Sequence, residues 1–208
     1  MKKIFTLIFL LSFTFLSIKA QQRIVAECTI NYSVELDTSV GNTNSFWASA
    51  SKVVYIKGND CRTDLISPTF SQTVLYDKGS GNAVVLREIG NNKLITKLSK
   101  KQWLEKNKKF DSSAITFYSD TKTLLGYECK KAIISYKDGS QTSVYYTPTI
   151  IPSVKEYEFS FKDVPGLVLE YETFEGINKV KYIANKIDLS PVTSSKFDVP
   201  TSGYRILN

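Results

Sequence analysis

Two pairs of glutamates stand two residues apart, Glu156 with Glu158 and Glu170 with Glu172. Paired carboxylates hydrolyse glycosidic bonds when they flank a cleft. On a strand, residues two apart share a face, and alternating acids are far more often its wetted side. Ser49–Lys52 and Ser119–Lys122 both fit Ser-x-x-Lys, the spacing of a serine nucleophile with a lysine base. A chain this rich in Ser and Lys produces such matches by chance, and the companion Ser-Asp-Asn and Lys-Thr-Gly motifs are missing. Cys129 precedes Lys130 and Lys131, cations that stabilise a thiolate. With no base at hand, burial or a disulfide is the plainer reading.

The chain contains no histidine. That excludes imidazole acid–base catalysis, Ser-His and Cys-His nucleophiles, and metal sites that need imidazole. No calcium loop or nucleotide-binding glycine loop is present. These residues therefore assign no catalytic, metal or cofactor site, and the chain reads as a non-enzyme that needs no cofactor.

One stretch has the chemistry of a docking surface. Trp103 lies among Lys97, Lys100, Lys101, Lys106, Lys108 and Lys109, offset only by Glu105. A tryptophan flanked by Lys100 and Lys101 suits an anionic membrane surface or an acidic partner. The competing reading tucks Trp103 into the core and leaves the lysines in water. Residues 99–109 are either a short helix or a loop.

The elements that must hold these residues begin after a leader. Lys2 and Lys3 precede an apolar run from Ile4 to Ile18, and Ala20 offers a small residue before Gln21. This is the pattern of a secretory signal peptide over residues 1–20. The run falls short of the ~20 residues that span a bilayer. No second run of that length follows, so no transmembrane span is expected in the mature chain. Cys28 lacks the small preceding residue that lipidation needs. The expected location is the periplasm, outer-membrane association and secretion being the alternatives. Losing Lys2, Lys3 and Lys19 lowers the net charge from +7 to +4, too little to imply a nucleic-acid partner.

Residues 21–208 read as one domain. Over 24–36, Ile24, Ala26, Cys28, Ile30, Tyr32, Val34 and Leu36 alternate with polar residues, Val25 being the exception. That is a half-buried strand. Tyr157, Phe159 and Phe161 opposite Glu156, Glu158 and Ser160 predict another over 156–162, and Leu167, Leu169 and Tyr171 a third. Further strand-rich runs lie near 46–56, 61–66, 72–78, 82–88, 92–98, 124–137, 140–147 and 178–189, separated by Gly, Asn and Asp turns. Asp138-Gly139 marks a hairpin. Short connections favour an antiparallel meander. The expected fold is all-β, a single curved antiparallel sheet or half-barrel with at most one or two short helices. It is analogous to the periplasmic lipoprotein carriers.

Three cysteines in an oxidising compartment allow one disulfide and one leftover thiol. Cys61–Cys129 is the favoured pair, with Cys28 buried on a strand face; three free thiols are the alternative.

Two blocks resemble a known family. Asp120–Ala132, "DTKTLLGYECKKA", and Val164–Tyr171, "VPGLVLEY", with "VYYTPTI" at 144–150 between them, are similar to the GLPGLI family of exported Bacteroidetes proteins. Asp163 and Val164 replace the first Gly-Leu of the family's signature, while Pro165, Gly166 and Leu167 match it. The resemblance covers residues 116–174 and implies export and a β-rich domain. It brings no activity and no catalytic residues. Pro165-Gly166 is expected to end the 156–162 strand in a type II turn or bulge, with Leu167 re-entering the core. The expected role is binding a lipid-like or peptide ligand, or an outer-membrane protein. The alternatives are a structural subunit of an envelope complex and a hydrolase that uses carboxylates alone.

Overall fold

A computed structural model describes residues 21–36, 49–175 and 178–207. The leader at 1–20 and the start of the run predicted over 46–56 lie outside these residues. The described strands are β1 (Arg23–Val25), β2 (Glu27–Leu36), β3 (Ser51–Lys57), β4 (Asp60–Ile66), β5 (Phe70–Asp77), β6 (Ala83–Ile89) and β7 (Asn92–Leu98). Helix α1 (Lys100–Lys106) precedes β8 (Ala114–Leu124), β9 (Tyr127–Ser135), β10 (Gln141–Thr147), β11 (Ile150–Pro152), β12 (Leu167–Glu175), β13 (Asn178–Asp188) and β14 (Arg205–Ile206). Twelve of the strands form one open, curved sheet in the order β14-β7-β6-β5-β4-β3-β2-β13-β12-β10-β9-β8. Its pairs are antiparallel except β14 on β7. The expected all-β meander is therefore present. Among the described residues no helix is long and apolar enough to cross a membrane.

Alternation put the right side chains on the inner face. One row across it runs Cys28, Ile56, Cys61, Tyr76, Ala83 and Leu98, each opposite the next. A second row runs Val34, Tyr182, Tyr171, Val144 and Ala132. The predicted strand over 24–36 breaks at Ala26, beside its one irregular residue. Val25 is buried and Ile24 is 73% exposed, the reverse of the expected order. Beyond that point the chain leaves the main sheet, and β1 pairs in parallel with β11.

Two stretches of chain cover the sheet. Residues 153–166 cross the inner face. The tail from 189 to 207 crosses the outer face and ends as β14 on β7. The strand predicted over 156–162 does not form. Lys155–Tyr157 and Phe159–Phe161 are short 3-10 turns instead. A segment lying over a sheet face has no ladder to join, so local bonds such as Phe161 N–H to Glu158 O (2.8 Å) take up its backbone groups. The apolar positions still face inward: Tyr157, Phe159 and Phe161 are buried.

The Pro165-Gly166 junction also differs from expectation. Gly166 N–H bonds Val164 O at 2.9 Å, a three-residue turn around Pro165. Gly166 is not among the glycines at positive φ, so the type II turn is not made. The glycine is needed for contact instead. A Cβ there would stand 2.2 Å from the Thr147 carbonyl oxygen on β10. Leu167 then enters the core fully buried, as expected.

Candidate functional site

The inner face, α1 and the 155–161 segment enclose a crevice of about 250 Å³. One wall comes from α1. Ser99 caps the helix, its hydroxyl accepting from the Gln102 backbone N–H while the Gln102 side chain accepts from the Ser99 N–H. The Asn107 side chain closes the other end by donating to Trp103 O at 2.9 Å. These caps settle 99–109 as a helix followed by a 3-10 turn and turn Trp103 inward. Trp103 is 8% exposed and stacks on Tyr76, ring centroids 6.0 Å apart. It is therefore not a surface contact, and of the predicted docking trio only Lys100 and Lys101 are exposed. The apolar inner face draws the indole in.

The opposite wall is the 155–161 segment, and Lys52 of β3 lies at the base. Lys52 is buried, pairs with Glu158, and donates to Tyr171 Oη at 2.7 Å. Its ammonium lies 5.2 Å from the Tyr171 ring and 5.3 Å from that of Tyr182. Those two rings stack at 4.5 Å. A cation removed from water needs this combination of carboxylate, hydroxyl and ring faces.

Two residues before Glu158, Glu156 also lines the crevice. Tyr76 stands close enough that its phenol is raised by burial and next by the Glu156 charge. Glu156 Oε2 and Trp103 Nε1 are both buried without a hydrogen-bond partner among the described residues. Both residues line the crevice. Each unmade bond costs about 1–3 kcal/mol, more when the group is charged. Such groups ask for an occupant, water or ligand.

The carboxylate pairs expected on wetted sheet faces are placed otherwise. Glu156 and Glu158 lie within the crevice. Glu170 is buried on the outer face between Lys122 and Lys181. The two pairs therefore serve opposite faces and do not converge. Neither Ser-x-x-Lys match forms a dyad: Lys52 is engaged by Glu158, and Lys122 by Glu170.

All three cysteines are free and buried. Five strands separate β4, which carries Cys61, from β9, which carries Cys129, so the favoured disulfide is not made. Cys28 and Cys61 share a row but lie two strand spacings apart, roughly 10 Å, beyond the ~7 Å limit between bridged Cα atoms. Burial raises the Cys129 thiol to about 11 and Cys28 to about 12. The activated thiolate considered at Cys129 is thus disfavoured, because burial outweighs the neighbouring lysines. Among the described residues, no group of three His, Cys, Asp or Glu side chains is placed to hold a metal.

Sequence reasoning found Trp103 but not its partners. Tyr76, Lys52 and Glu156 come from separate elements, and only the aromatic alternation at 157–161 hinted that the neighbouring glutamates would be drawn under cover.

No family model matches the chain, and no curated protein is similar to it. Solved structures do resemble its fold. PNGF-II superposes over 88% of this chain with a TM-score of 0.50 and 14% identity. This chain spans only 31% of PNGF-II. An uncharacterized conserved protein from Thermus thermophilus aligns with 86% of this chain and 89% of its own, at TM-score 0.47 and 7% identity. MucB aligns with 88% and 60%, at TM-score 0.44 and 9% identity. At such identities the PNGF-II likeness is one of β fold alone.

Proposed function

We propose that this chain is an exported envelope protein, akin to the GLPGLI family, that acts by binding rather than by catalysis. The leader pattern and the two family-like blocks support export. The crevice is the binding site in this reading. Its two buried, unpartnered polar atoms beside aromatic walls carry the assignment.

The size of the crevice narrows the occupant. The chain's own segments already lie over the inner face, and about 250 Å³ is left. Pockets for drug-sized molecules run from ~300 to ~1,000 Å³. A small molecule or a single peptide group fits better than an acyl chain. Native mass spectrometry of protein purified from its own envelope tests this. The expected result is a small adduct that disappears when Trp103 and Glu156 are replaced by alanine.

A structural role is the second reading, and β8 favours it. Among the described residues it ends the sheet, pairing only with β9, and it carries exposed Phe117 and Tyr118. A bare protein mass together with stoichiometric crosslinks through β8 would favour this reading.

A further inference from the structure

The crevice holds two carboxylates on one segment, and among the described residues only Glu158 has a cation. Glu158 has Lys52, held against the stacked rings of Tyr171 and Tyr182. Glu156 lines the same crevice as a second stacked pair, Tyr76 and Trp103, and makes no ion pair among the described residues. Lys109 also lines the crevice, but its ammonium lies 4.7 Å from the Phe110 ring centroid, not on Glu156. The crevice thus offers a second carboxylate and a second aromatic stack with no ammonium of the described residues seated on that carboxylate.

Resting on the binding role above, we infer that the crevice takes at Glu156 an ammonium or guanidinium group from outside the chain. A carboxylate oxygen that is buried and unpaired gains most from a charged donor. The faces of Trp103 and Tyr76 add cation–π attraction, which strengthens as water is excluded. The indole N–H of Trp103 needs an acceptor on the same ligand, such as a carbonyl or hydroxyl oxygen near the cation. Two sources share this chemistry: a small amine or amino-acid amide, and a basic side chain of a peptide.

Titration of the mature protein by calorimetry tests the inference, with the Trp103 indole N–H followed by NMR. The probes are L-argininamide, the end-blocked tripeptide Gly-Arg-Gly, and glucose as a neutral polyol. Saturable binding of either cation is expected, with a shift of the indole signal. Glu156→Gln should weaken it at least tenfold and Trp103→Phe about fivefold, while Glu128→Gln, on the exposed face of β9, leaves it unchanged. Thermal unfolding of each variant separates lost binding from lost folding. Tighter binding of the amide identifies a small-molecule source, and tighter binding of the tripeptide identifies a partner's side chain. The assignment is overturned if neither cation saturates at millimolar concentration, if Glu156→Gln binds equally well, or if glucose alone binds. In the last case the binding role stands and only the ligand class fails.

Discussion

Residues 153–166 and the tail 189–207 both cover the sheet, but with different chemistry. The inner cover is held by apolar burial. Val154, Tyr157, Phe161 and Val164 are at most 5% exposed. Polar links at its edges, such as Lys78 to Ser153 O and Lys162 to Asp111, reach water, but the one at its centre does not. There the Val168 N–H of β12 donates to Tyr157 Oη at 3.1 Å, and the same Val168 is fixed from β2 by Tyr32 Oη, which donates to its carbonyl at 2.7 Å. The outer cover is held mostly by charged groups at the surface. Glu27 accepts from the Val192 N–H at 2.7 Å, Lys57 donates to Val192 O at 2.6 Å, and Arg62 donates to Lys196 O at 2.8 Å. Tyr204 donates to Glu88, and Lys196 lies over the Tyr55 ring. Charged contacts within reach of water are screened and individually weak, whereas burying one large apolar side chain contributes about 1.5–3 kcal/mol. The inner cover should therefore unfold with the domain, and the tail should come away before it.

Four measurements probe that contrast. Gly166→Ala forces a Cβ against the β10 backbone and should destabilise the protein by about 3 kcal/mol or more, seen as a lower urea midpoint. An unchanged midpoint would mean that the inner cover is not rigidly seated. Lys52→Ala should cost about 2 kcal/mol. That is below the ~3–5 of a wholly buried pair, because Glu158 is 32% exposed. Adding Glu158→Leu to Lys52→Met should restore much of that loss. Tyr32→Phe leaves the Val168 carbonyl without its donor and should cost about 1–2 kcal/mol.

The smallest effect belongs to the tail and depends on pH. The Val192 N–H and then Lys57 hold the Glu27 carboxyl below its usual value, and the Tyr204 hydroxyl does the same for Glu88. Because both pKa values are depressed in the folded state, their stabilisation is complete above the ordinary glutamate value of 4.5. It is lost as pH falls through the lowered values. Amide protection factors, which correct for the intrinsic slowing of exchange in acid, should fall at Val192 and Leu207 before they fall at Val168. Simultaneous release of all three would erase the distinction between the covers.

Much of the sheet was legible because alternation is local. The run at 82–88 became β6 and that at 92–98 became β7 almost residue for residue. β8 was missed for a physical reason. As an edge strand it exposes most of its residues, so selection for burial left no apolar period in "AITFYSDTKTL". The 156–162 error has the opposite cause. Its period was real and reported burial, but burial beneath a covering segment rather than in a ladder.

By itself the sequence determined which side chains seek cover and which chemistry is absent. Hydrophobicity at every second residue is a property of neighbours in the chain, and a missing imidazole is a property of composition. Tertiary structure decided what each covered side chain meets. Lys52 and Glu158 are 106 residues apart, and Tyr32 and Val168 are 136 apart. No local pattern encodes such meetings, because they depend on how the sheet curves and on which segment closes over it. Trp103 was a candidate from the sequence, but as a surface contact; only the fold turned it into the crevice and buried the Glu156 Oε2 atom there as well.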